Sequence, residues 1–169
     1  INADGELAFV EADHYEGGKL AARHLIQCGC RNIVNISGPQ KYSSARDRYR
    51  GYVDTCKQYG REVQNLECEY SFDQGQLVAE EILNRYPAVD GIISWAGSMG
   101  TTTVTYLMRA LPFGVPKVML TDMASSDVSQ WLGNKDIYIV NPTAEQGINV
   151  VTRKMVANAA AAVVAMAKV

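Results

Sequence analysis

The chain has 169 residues, 47% hydrophobic and 20% charged, with a formal net charge of −2 at pH 7. That is enough apolar material to bury one core as a single α/β domain over residues 1–169. The charge balance and a pI near 5.7 argue against a nucleic-acid partner. No apolar stretch reaches membrane-spanning length and no leader segment is visible, so a cytoplasmic protein with no membrane partner is expected.

In chain order, Leu7–Glu11 reads as a strand, followed by a helix over Gly17–Gln27 that Gly29 ends. Asn32–Ser37 is a second strand closed by the Gly38-Pro39 turn. Ser43 or Ser44 can cap the next helix, whose Ala45, Tyr49, Tyr52, Val53 and Cys56 share one face until Gly60 stops it. Val63–Tyr70 reads as a strand, Gly75–Arg85 as a helix and Gly91–Trp95 as a short apolar strand. A helix over Thr102–Leu111 ends at Pro112. Val115–Thr121 is then a strand, Ser126–Leu132 a short helix, Asp136–Val140 a strand and Glu145–Met166 a long terminal helix. Strands separated by helices imply right-handed crossovers, and hence a three-layer, doubly wound, mainly parallel sheet of Rossmann or flavodoxin type.

Between the Gly91–Trp95 strand and its helix lies Gly97-Ser98-Met99-Gly100-Thr101-Thr102-Thr103. A loop of this kind aims free backbone N–H groups and a helix dipole at one point, which suits a phosphate, sulfate or nucleotide bound by Gly97, Ser98, Gly100, Thr101 and Thr102. The plainer reading is a tight turn using Gly97 and Gly100 for positive φ. Without a lysine at the helix start it is no P-loop. Asp122, Ser125, Ser126 and Asp127 follow the fifth strand at the same sheet edge. They can bind a hydroxylated ligand or a metal, the plainer reading being that Ser125, Ser126 and Asp127 cap a helix.

Cys28, Cys30, Cys56 and Cys68 lack paired zinc-site spacing, so four reduced, mostly buried thiols and no metal are expected. His24 reads as solvated, and Trp95 and Trp131 as core residues. No nucleophile elbow, Ser-His-Asp order or carboxylate pair with a base emerges. No enzyme and no required cofactor are therefore expected.

Composition shifts near the middle. All four cysteines lie at or before 68 and all six methionines after 98; residues 1–93 hold 10 basic and 14 acidic side chains, residues 94–169 hold 6 and 4. Asp13–Leu25 (DHYEGGKLAARHL), Gly29–Gly38 (GCRNIVNISG), Ser44–Tyr52 (SARDRYRGY) and Tyr86–Ile93 (YPAVDGII) resemble successive blocks of the C-terminal subdomain of LacI-type repressor sugar-binding cores. The resemblance covers roughly residues 7–93. It implies that Arg46 contacts a sugar and that Phe72 stacks on it, the alternative for Arg46 being a solvated helix charge. The Asn-Asp of that family after the fourth strand is replaced here by Ala96-Gly97, and residues 1–169 are expected to match neither the family's second subdomain nor its DNA-binding headpiece.

From about Gly91 the pattern changes. Ala96–Thr101 (AGSMGT), Met108–Met119 (MRALPFGVPKVM), Ala124-Ser125, Gly133–Ile137, Gly147–Asn149, Arg153 and Ala157–Ala160 resemble the Tm-1-like ATP-binding family, formerly an uncharacterised family. That resemblance implies nucleotide binding at the glycine loop, although Ala96 and Met99 replace two of its glycines. The two resemblances together lead to an engineered chimera with a seam near 91–100 and no evolved activity, as monomer or homodimer, needing no partner. The alternatives are a phosphate or nucleotide module at Gly97–Thr103 and a weak sugar half-site at Arg46 and Phe72.

Overall fold

The computed structural model describes residues 12–87, 89–142 and 149–169. Within them the order is α1 (His14–Gln27), β1 (Val34–Ser37), α2 (Ser43–Gln58), β2 (Gln64–Glu67), α3 (Phe72–Arg85), β3 (Ile92–Trp95), α4 (Ser98–Ala110), β4 (Lys117–Leu120), a 3₁₀ turn (Asp122–Ser125), α5 (Ser129–Leu132), β5 (Tyr138–Val140) and α6 (Val150–Met166). This is the expected α/β alternation, and every strand pair is parallel.

The described strands form two sheets. β1 pairs with β2, Val34 opposite Gln64, and β4 lies between β3 and β5, with Val118 opposite both Ile93 and Tyr138. The expected strand over Leu7–Glu11 lies outside the described residues, as does the 145–148 part of the expected terminal helix.

One apolar cluster nevertheless joins the two sheets. Leu66 and Cys68 from β2 and its exit, Val78, Ala79 and Ile82 from α3, Ile92 from β3, Leu107 and Met108 from α4 and Met119 from β4 pack together, with Val34 and Ile36 of β1 against them. On the opposite face α6 buries Ala159 and Val163 against Val118 and Leu120, with Ile93 and Trp95 alongside. Ile92 and Ile93 thus serve opposite faces, as successive strand residues must. Burial on both faces explains why these strands read as apolar runs rather than alternations.

Helix ends differ from expectation where a side chain supplies a cap. Asp13 accepts from the Glu16 amide at 2.8 Å and starts α1 three residues before Gly17, and Ser71 starts α3 at Phe72. Neither Ser43 nor Ser44 is a cap: Tyr42 holds that position with no side-chain bond. The stops agree, since Gly29 and Gly60 adopt φ of 91° and 61°, a region that costs other residues strain.

Candidate functional site

The carboxyl ends of the parallel strands form the edge where ligands bind in open α/β sheets. At β3 the expected loop is absent, because α4 begins at Ser98 and Gly97 is its N-cap, with φ −78° and no side-chain bond. Gly100, Thr101, Thr102 and Thr103 are therefore helical, and neither Gly97 nor Gly100 is among the positive-φ glycines. Gly100 is required by packing instead, since a Cβ there would run into that of Ala96. The hydroxyls also turn inward. Thr101 Oγ1 lies 2.7 Å from Thr121 Oγ1 and bonds the Ala96 carbonyl at 3.2 Å, while Thr102 Oγ1 accepts from the Trp131 indole N–H at 3.1 Å. What stays open to a ligand is the uncapped first turn at Ser98, Met99 and Gly100. The Met99 side chain there is 63% exposed.

The Thr101–Thr121 bond ties this turn to the end of β4 and sets Asp122 beside it. Thr121 Oγ1 accepts from the Met123 amide and caps the 3₁₀ turn. Ser125 Oγ donates to the Asp122 carbonyl and Ser126 Oγ to that of Met123, both at 2.9 Å, so these hydroxyls serve the turn itself. Asp127 accepts from the Ser129 amide, which holds its carboxyl below the usual range. Asp122 differs: its Oδ1 is buried with no hydrogen-bond partner.

At the other sheet, Arg46 is exposed and Nη1 donates to the carbonyls of Gln40 and Lys41, at 3.1 and 3.4 Å. Phe72 opens α3. Residues not singled out from the sequence appear here: Tyr42 and Tyr70 stack with ring centroids 6.1 Å apart, flanked by the Lys41–Glu69 ion pair at 3.5 Å. Their signal was an aromatic just beyond the end of each strand, which is visible only once both ends are known to adjoin. A cleft of about 60 Å³ between Ser37, Gly38, Tyr70, Gly100, Thr103 and Leu107 links the two sheets' edges. That holds a few waters at most, well below the 300–1,000 Å³ typical of small-molecule pockets.

Elsewhere several polar groups have structural partners. Lys117 is 0% exposed, and Nζ donates to the carbonyls of Pro112 and Val115 and to Asp136 Oδ1, at 2.8, 2.7 and 2.9 Å. This clamp accounts physically for the Leu111–Lys117 run. Desolvation pushes the Asp136 carboxyl up, but Lys117 and the Gly114 amide outweigh it and hold the group below its usual range. Burial pushes up the thiols of Cys30, Cys56 and Cys68. His24 is half-buried rather than solvated, with Nε2 3.5 Å from Cys28 Sγ. Trp131 is buried, and Trp95 half-buried. Among the described residues no helix is long and apolar enough to cross a membrane.

A family model described as "Uncharacterised protein family (UPF0261) N-terminal domain" matches residues 20–169. A UPF0261 protein of Clostridium tetani is 38% identical over 96 residues, 56% of this chain and 24% of that protein. A ribose operon repressor of Halalkalibacterium halodurans is 31% identical over 90 residues, 52% and 27% respectively. The chain thus spans about a quarter of the curated relatives it matches. A solved CelR–cellobiose complex shares the fold, with TM-score 0.54 and 23% identity over 98% of this chain and 49% of that one.

The LacI-like resemblance stands. The engineered chimera does not: one family model runs unbroken across the expected seam at 91–100, and the relatives are natural proteins. The composition shift is therefore a property of a natural sequence, and no separate Tm-1-like part is supported. Relatives named as repressors and transcriptional regulators also leave the expected absence of a nucleic-acid partner without support.

Proposed function

The chain belongs to the UPF0261 family, whose N-terminal-domain model it matches over residues 20–169, and from that premise we propose that it is a non-catalytic binding domain for a small polyhydroxylated ligand at the carboxyl edge of its sheets. The observation that carries this is Asp122. A carboxylate oxygen buried without a partner costs stability, and ligand hydroxyls would satisfy it once the side chain turns outward. The Tyr42–Tyr70 stack supplies an apolar face of the kind sugars pack against. A regulator solved with cellobiose shares the fold, which supports a sugar as the ligand class. The open cleft is too small to enclose a sugar, so high affinity would need further protein to close over it.

The test is an amide-resolved NMR titration with neutral mono- and disaccharides. Saturable shifts at residues 98–101 and 121–124, abolished in Asp122→Ala, are expected. Because one oxygen of the wild-type carboxylate is buried and unsatisfied, that variant should fold at least as well as the parent, which separates lost binding from lost structure. Absence of saturable shifts with every sugar would sink the reading.

The uncapped first turn of α4 supports a second reading, a phosphate or nucleotide phosphate held by the amides of Ser98, Met99 and Gly100. Thermal shift with inorganic phosphate and ATP tests it by mass action. Ser98→Asp, which adds a negative charge favourable to the helix itself, should abolish any stabilisation. A shift that survives this change would refute the site.

A further inference from the structure

At the opposite, amino-terminal edge of β1 and β2 lies a cavity of about 180 Å³, larger than the carboxyl-edge cleft and independent of it. Ile33 and Cys56 line its apolar part, and Arg31, Arg61, Glu62 and Gln64 its polar part. Gln64 Oε1 is buried and has no hydrogen-bond partner. The amide orientation is set by the other end of the group, where Nε2 donates to Glu62 Oε2 at 3.4 Å. Neither Arg31 nor Arg61 takes part in an ion pair with a described residue.

Two open guanidiniums present donors suited to a carboxylate. The Glu62 carboxylate presents an acceptor suited to an ammonium group, and the orphan Gln64 oxygen offers a second once that side chain turns into the cavity. Both signs of charge therefore meet in one cavity with an apolar patch. A bare anion would satisfy the arginines but leave Gln64 Oε1 unpaired, and it would also face Glu62 and the carboxyl end of α2, whose dipole disfavours negative charge.

We propose that this cavity is a second binding site, for a small zwitterion of the α-amino acid class, with its carboxylate on Arg31 and Arg61, its ammonium on Gln64 Oε1 and Glu62, and its side chain toward Ile33 and Cys56. Because the charged groups sit at a solvated rim, each ion pair contributes little, and affinity in the millimolar range follows.

The experiment is an NMR titration of the whole chain, followed through the backbone amides of residues 31–33 and 60–64 and the Gln64 side-chain NH₂. Glycine, alanine and glutamine are compared with acetate, ethylamine and inorganic phosphate. The proposal expects saturable shifts with the amino acids and at least tenfold weaker responses to acetate or ethylamine alone. Gln64→Met removes the orphan acceptor at similar size and should weaken binding several-fold. Arg61→Gln should do the same and serves as the second variant if Gln64→Met fails to fold. No saturable response to any amino acid, an equal response to acetate or phosphate, or binding untouched in a folded Gln64→Met or Arg61→Gln variant would each overturn it.

Discussion

Lys117 shows what a single buried charge does in this fold. All three ammonium protons are used, two on carbonyls of the Pro112–Val115 turn and one on Asp136, so the turn before β4 and the approach to β5 are held at one point. Lys117→Met leaves three acceptors without their donor and should cost about 3 kcal/mol, the low end for breaking a buried pair, because Asp136 reaches solvent. Urea unfolding measures this, as a lower midpoint at unchanged slope. Asp136 titrates lower in the folded protein than in the unfolded chain. Its contribution is thus complete above the unfolded carboxylate value of about 4 and is lost as pH falls through the lower folded value. Asp136→Asn should lack that part of the acid limb, so its urea midpoint would fall less between neutral and acid pH than the parent's. Equal slopes in both proteins would show that the ion pair contributes nothing.

At the scale of elements, α1 and α2 meet through glycine. A Cβ at Gly18 would strike the Arg48 carbonyl oxygen, and one at Gly51 the Tyr15 carbonyl oxygen, so the two backbones touch and no side chain fits between them. Tyr15 Oη donates to Asp54 Oδ2 at 2.8 Å beside this contact. Helix propensity favours Gly51→Ala by up to about 1 kcal/mol. Overpacking opposes it by about 1–3 kcal/mol, and because the obstacle is backbone, the second effect wins. A lower thermal midpoint by circular dichroism is the expected result; a higher one would show that the helices can separate freely. Tyr52, on the inner face of α2, sits 2.9 and 3.0 Å from the carbonyls of Ile33 and Gln64 and pins the helix to both strands of its sheet. Burial pushes its phenol far above the ordinary value.

At the scale of the molecule, the question is whether two small sheets unfold together. The cluster joining Leu66, Ile82, Ile92, Leu107 and Met119 crosses from one sheet to the other, so a single cooperative transition is expected. Ile92→Ala should cost about 2–5 kcal/mol through the cavity it leaves. Ile93→Ala should cost less, because Ile93 is half-buried on the α6 face rather than at the centre. Fluorescence of Trp131 and far-ultraviolet circular dichroism should report the same shifted midpoint. Two separate midpoints, with only one moved by Ile92→Ala, would show independently folding halves.

The amino-acid sequence by itself determined the alternation of helices and strands, the buried face of α2 at Ala45, Tyr52 and Cys56, and the helix stops at Gly29 and Gly60. These are properties of 3.6-residue spacing, backbone freedom and caps a few positions away. It also carried the LacI-like resemblance, but its uneven composition could not tell a splice from natural drift. The tertiary structure alone decided where the polar groups at the sheet edges point. Thr101 finds Thr121 twenty positions away, Thr102 finds Trp131 twenty-nine away, and Lys117 finds Asp136 nineteen away. A buried hydroxyl or ammonium must take whichever partner packing brings within reach. Residues that looked like ligands in sequence therefore became internal bonds, while Asp122 and Gln64 each kept a buried oxygen without one.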